Sequence, residues 1–201
     1  ASTAVAEIGT EALALRADLA QPAAADRLVA QTLGVFGQLD ILVVNHGIWK
    51  RASLLEMTEE QWQETLDVNL TGAWAVCRAA ARVMAPRRSG TMVLMASTAG
   101  QRGEAHYSHY AAAKGAAIAF TRSLAAELAP LGIRVNGVAP GWVVTDMTRQ
   151  VLEGPDAAAA LRPIPRGRAG TGWLQRAAAI GSHRGAVLGS SSGSSSAVAL
   201  A

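Results

Sequence analysis

Cysteine is nearly absent from this 201-residue chain: Cys77 stands alone, in the helical run GAWAVCRAAARVM. A single thiol excludes an internal disulfide framework and fits a reducing, cytoplasmic compartment. Long apolar runs are missing as well. No stretch approaches the roughly 18 uncharged apolar residues that a membrane span requires. The start, ASTAVAEIGTEALALRAD, has neither the basic nor the continuous apolar region of a signal peptide. Aromatic residues make up 4% of the chain, with two tyrosines, and Lys50 and Lys114 are the only lysines among 18 basic residues. Acid is missing at one end: after Asp156 there are five arginines and no carboxylate, so the net charge of +3 leaves residues 1–156 at −2. A body that is not basic offers no electrostatic footprint for nucleic acid, and a basic tail is ordinarily just solvated.

What remains is 50% hydrophobic and 16% charged, the composition of one globular domain with a real core. STAVAEIG resembles a helix end stopped at Gly9, where a left-handed cap costs glycine least. EALALRAD reads as a short strand. A helix follows Pro22, its apolar positions Leu28, Val29, Leu33 and Phe36 recurring at helical spacing up to Gly37. DILVVNHG and TMVLMAS are continuous apolar runs of strand length, suited to burial on both faces of a parallel sheet. Between them Thr58-Glu59-Glu60-Gln61 is a capping box that opens a long helix to about Met84. A further helix runs to about Leu128, and IRVNGVAPG supplies the next strand. Strands alternating with helices predict an α/β sandwich with a mostly parallel sheet and helices on both faces. Ligands of such sheets bind at the carboxyl ends of the strands. Asp18, Asn45-His46-Gly47, Ser97-Thr98-Ala99-Gly100 and Pro140-Gly141 occupy those ends.

The chemistry concentrates in SHYAAAKG, residues 108–115, where Tyr110 and Lys114 are four apart and therefore share one helix face. A phenol is a poor acid at neutral pH, and using it as acid or base demands a nearby positive charge, which Lys114 supplies. Ser97 closes a buried strand thirteen residues earlier, so its hydroxyl and the phenol can converge on one substrate oxygen, the serine stabilising charge that develops there. Asn69 lies inside the long helix, where its amide competes for backbone groups and bends the helix or seats a water.

With these residues the chain resembles the short-chain dehydrogenase/reductase family, of the type that includes bacterial 3-oxoacyl-carrier-protein reductases. Asp18-Leu19, Asn45-His46-Gly47, Asn69 in VNLTG, Ser97 in ASTAG, Tyr110 and Lys114 in YAAAK, and PGWVVTDM at 140–147 carry the resemblance, from about Ala4 to Gly170. It implies a Rossmann-like three-layer fold and an NAD- or NADP-dependent interconversion of a ketone, of the 3-oxoacyl kind, and a secondary alcohol. Tyr110 would be the acid/base, Lys114 its partner and the ligand of the nicotinamide ribose, Ser97 the carbonyl anchor and Asn69 the holder of a relay water. Asp18 and Leu19 would meet the adenine, Asn45, His46 and Gly47 would line the cofactor cleft, and Pro140, Gly141, Val143 and Thr145 would flank the nicotinamide. A homodimer or tetramer built on the two long helices is also implied.

The departures are specific. No glycine-rich turn precedes a first helix, so the expectation is a partial dinucleotide-binding domain over 1–170 that lacks its first βαβ elements. DILVVNHG would then have an unpaired edge unless EALALRAD slides across to cover it. Residues 171–201 diverge, as after a frame change, and GSSSGSSS reads as a flexible tract. His46 replaces a small residue, either shaping nicotinamide access or standing as a tolerated neighbour. A hydrolase using Ser97 with His106 or His109 lacks the Gly-x-Ser-x-Gly elbow, and Glu104, His106 and His109 are too few and isolated for zinc. The competing reading is an inactive remnant whose only role is subunit interaction.

Overall fold

A computed structural model describes residues 12–164, 166–170, 185–191 and 194–200. The proposed helix end at Gly9 lies outside them. In chain order the elements are β1 (Ala12–Arg16), α1 (Pro22–Phe36), β2 (Ile41–Asn45), α2 (Glu59–Leu66), a π-helical turn at Asp67–Thr71, α3 (Gly72–Met84) and β3 (Gly90–Met95). Then come α4 (Ala99–Arg102), α5 (Ser108–Leu128), β4 (Ile133–Val138), α6 (Asp146–Leu152), α7 (Ala157–Leu161), β5 (Gly185–Ser191) and β6 (Ser194–Leu200). Local chemistry sets the boundaries. Pro22 starts α1 where a missing N–H costs nothing, and Gly37 ends it with φ 76°. The Thr58 hydroxyl accepts from the Gln61 N–H at 3.2 Å while the Gln61 carboxamide accepts from the Thr58 N–H at 3.0 Å, closing the expected capping box.

The sheet order is β1-β6-β5-β2-β3-β4. β5, β2, β3 and β4 are mutually parallel, while β6 runs antiparallel to both β5 and β1. This is the α/β, Rossmann-like arrangement that alternating strands and helices imply. The free edge expected beside β2 is taken by β5, in register from Ile41 opposite Gly185 to Asn45 opposite Gly189. β1 stays at the far side, paired with β6. Of the serine-rich tract read as flexible, residues 189–191 end β5 and residues 194–196 open β6.

Register also locates the core. Leu42, Met92 and Val135 lie side by side across β2, β3 and β4, pointing to one face with Val44, Leu94 and Ile133. The same cluster holds Leu28 of α1, Val76 and Met84 of α3, and Leu128 of α5. Thr121 of α5 faces Gly137 on this side too. Among the described residues, then, the long helices cover one face rather than both. On the other, Arg134 and Asn136 are exposed. No described helix is long and apolar enough to cross a membrane.

Candidate active site

The carboxyl ends of β2, β3 and β4 open into one cleft of about 860 Å³. Each wall has a structural cause. β3 and β4 continue their pairing beyond the sheet, the Thr98 N–H donating to the Pro140 carbonyl at 2.9 Å, which fixes Ser97 beside Gly141. The 142–144 segment is pinned by Gly170, whose N–H donates to the Trp142 carbonyl at 2.8 Å and whose carbonyl accepts from Val144 at 3.0 Å. α5 is drawn against α4 by a glycine pair: a Cβ on Gly100 would stand 2.5 Å from the Gly115 nitrogen and 2.5 Å from the Lys114 carbonyl carbon. That close crossing sets the depth of Lys114.

Asp18, Asn45, His46, Gly47, Ser97, Tyr110, Lys114, Pro140, Gly141, Val143 and Thr145 all line this cleft. Two residues do not. Leu19 has 0% exposure and its side chain packs in the core beside Gly72. Asn69, 2% exposed, sits in the π turn that interrupts the long helix. Its Oδ1 accepts from the Ile48 N–H at 2.8 Å and its Nδ2 donates to the Ile48 carbonyl at 2.9 Å. The amide thus clamps the Ile48 backbone at the edge of the cleft.

The electrostatics differ from expectation at one point. Lys114 is buried, and burial pushes its pKa down to about 8. Its ammonium donates to the Met95 carbonyl at 2.8 Å and stands 5.8 Å from the centre of the Tyr110 ring. The phenol of Tyr110 is pushed up by burial, with the Ser97 side chain pulling it down and the charge of Glu104 adding a smaller push upward. In the free protein burial therefore outweighs any acidifying effect of Lys114, and Tyr110 is a protonated donor at neutral pH. His46 is 2% exposed and neither ring nitrogen has a hydrogen-bond partner. Burial first and Lys114 second push its pKa down to about 4; a weak approach of the Val68 backbone, short of a hydrogen bond, acts the other way.

Sequence reasoning missed an aromatic wall. Trp49 stacks on Tyr107 with ring centres 4.4 Å apart and meets the edge of Trp142 at 5.6 Å. Trp49 and Trp142 follow strand ends in the sequence, whereas nothing near Tyr107 announces its stacking partner. The Met95 carbonyl that holds Lys114 has no signature either, because any residue carries that group.

The chain matches the family model described as enoyl-(acyl carrier protein) reductase over residues 1–179. A 3-oxoacyl-(acyl-carrier-protein) reductase of Synechocystis is 40% identical over 158 residues, covering 77% of this chain and 64% of that protein. One of Chlamydia pneumoniae is 41% identical over 164 residues, covering 82% and 66%. The chain thus spans just under two thirds of the length of these relatives. Among solved structures, gox2181 superposes with a TM-score of 0.78 at 31% identity, covering 82% of this chain and 66% of that one. A gluconate 5-dehydrogenase from Burkholderia cenocepacia, solved with NADP and tartrate, gives 0.73 at 32% identity, covering 77% and 61%.

Proposed function

The chain belongs to the short-chain dehydrogenase/reductase family, and from that membership we propose that it interconverts a ketone and a secondary alcohol with NAD or NADP. The observation that carries this reading is the convergence of Ser97, Tyr110 and Lys114 on a single cleft at the carboxyl ends of the parallel strands. The cleft suits the nicotinamide half of such a cofactor. Gly47 lacks the Cβ that would stand 2.6 Å from Asn69 Oδ1 and 3.5 Å from the Lys114 ammonium, so its floor stays open beside a buried donor. Lys114 would hold the ribose hydroxyls, Val143 and Thr145 the carboxamide, and Asp18 the adenosine end. When bound, the dinucleotide supplies or accepts the hydride.

The residues of the chain handle the oxygen and its proton. Ser97 donates a hydrogen bond to the carbonyl oxygen and orients it. Negative charge builds on that oxygen as the carbon is reduced, and the protonated phenol of Tyr110 delivers the proton that completes the alcohol. In the reverse direction the phenolate accepts the alcohol proton, and Lys114 stabilises the anion. The ketone class is that of the 3-oxoacyl reductases named among the relatives.

Titrating the purified chain with NADH and NADPH while following tryptophan emission tests this reading. Saturable quenching, together with ketone-dependent loss of NAD(P)H absorbance that disappears in Tyr110→Phe, is the expected result. An unchanged spectrum at millimolar cofactor overturns the enzymatic reading, as does a Tyr110→Phe variant with the parent's rate.

A further inference from the structure

Beside the main cleft, and sharing Ser97, Tyr110 and Trp49 with it, lies a second cavity of about 220 Å³. Its far wall brings in Trp142, Arg102 and Glu104. Glu104 is half-buried there: the Trp49 indole N–H donates to its Oε2 at 3.4 Å. The loop carrying it is built rather than loose. His106 takes a left-handed φ of 66°, uncommon for a residue with a side chain. The His106 carbonyl accepts from the Ala52 N–H at 2.9 Å, and the Glu104 carbonyl accepts from the Tyr107 N–H at 3.1 Å. The Trp49–Tyr107 stack then closes over this segment. A carboxylate is thus fixed in the wall of the cavity that Ser97 and Tyr110 also line.

Resting on the reading of the main cleft as a carbonyl-reducing site, we infer that Glu104 makes this cavity a charge filter for the ketone. It admits carbonyl compounds whose flanking groups are neutral or carry hydrogen-bond donors, and rejects those bearing a carboxylate close to the carbonyl. The field of Glu104 already reaches the reacting group, since its negative charge opposes ionisation of Tyr110 and of Tyr107. A substrate carboxylate seated against the same wall meets the same repulsion. The partner that offsets it, Arg102, stands exposed at the rim, where water screens it, and its pull on Glu104 is weaker than the effect of burial. A like charge about 5 to 6 Å away in a partly buried site disfavours binding by roughly ten- to a hundredfold.

Methyl acetoacetate and acetoacetate share a carbon skeleton around the ketone and differ by one charge. With the full chain, the ester should be preferred over the acid by at least about tenfold in kcat/KM, and Glu104→Gln should shrink that preference by about tenfold, mainly through a gain for the acid. The same substitution removes a charge that raises the Tyr110 pKa, so the pH profile of alcohol oxidation should move to lower pH, which a purely structural role would not produce. Quenching of tryptophan emission by either compound, read without turnover, gives a second measure. An ester preference in binding that Glu104→Gln abolishes supports the filter even if no ketone is reduced, an outcome that would overturn the enzymatic reading alone. Reduction of the ester with the same ester-to-acid ratio in both proteins overturns the filter and leaves that reading standing. Absence of both binding and turnover for the two compounds overturns both.

Discussion

At the scale of single residues, the unusual group is His46. A neutral imidazole with two unpartnered nitrogens sits 2% exposed beside a buried ammonium. Its pKa falls from 6.5 to about 4 on folding, so between these values the unfolded chain binds a proton that the folded chain refuses. Stability therefore rises with pH across that window and is lost as pH falls through it, by about 3 kcal/mol in full. Lys114 behaves alike at the basic end, adding stability as pH rises from about 8 towards 10.5. Urea midpoints at pH 7 and pH 4 should differ markedly less in His46→Ala than in the parent, although His46→Ala starts lower because of the cavity it leaves. His109, also depressed by burial, is present in both proteins and does not confound the comparison. Equal acid losses in the two proteins would mean that His46 does not titrate as described. The sequence marks His46 as a departure from a small residue. Its Nε2 lies against Gly72, where an added Cβ would stand 3.0 Å away, a contact across the fold that no local pattern encodes.

Among the elements, legibility follows how local the signal is. The capping box of α2, the proline start and glycine stop of α1, and the four-residue spacing of Tyr110 and Lys114 are contained within a turn or two, and all are readable before folding. The π turn is half legible: Asn69 is an evident misfit in a helix, but its bidentate grip on Ile48 comes from a segment 21 residues away. The α4–α5 crossing is the opposite case, two ordinary-looking glycines whose contact positions the site lysine. Gly100→Ala would drive a methyl into backbone atoms at 2.5 Å, whereas Gly115→Ala meets only the Gly100 carbonyl oxygen at 3.2 Å. Backbone cannot yield as a side-chain tip can, so α4 must lift away from α5. Gly100→Ala should cost about 2 kcal/mol, or roughly 4 to 8 °C in Tm, and weaken cofactor quenching with it. Gly115→Ala should lose less than half as much. Thermal melts of the two variants that coincide with the parent's would show that the helices do not approach so closely.

For the whole molecule, the decisive feature is the sheet centre. A buried parallel strand such as β2 needs hydrogen-bonding partners on both sides, and β3 satisfies only one. The other side is met by β5, a segment of glycine, alanine and serine around Val187 and Leu188 that has little intrinsic strand preference. Composition marks it as a linker; the unpaired edge of β2 makes it a strand, and such tertiary override is invisible to any local window. β5 is paired on both flanks, with β2 and with β6, and Val187 stands opposite Val43 on one side and Val198 on the other. Whichever neighbour its N–H addresses, Val187→Pro deletes a ladder bond from an interior strand and forces the ring into the sheet. The expected outcome is a loss of about 3 kcal/mol or more, read as a lower urea midpoint. Amide exchange should quicken not only in 185–191 but across Ile41–Asn45, because β2 loses its partner. Should Val187→Pro leave the midpoint and the protection of Ile41–Asn45 untouched, β5 would contribute nothing to the sheet, and the floor of the cleft at Asn45 would have to be held by β3 alone.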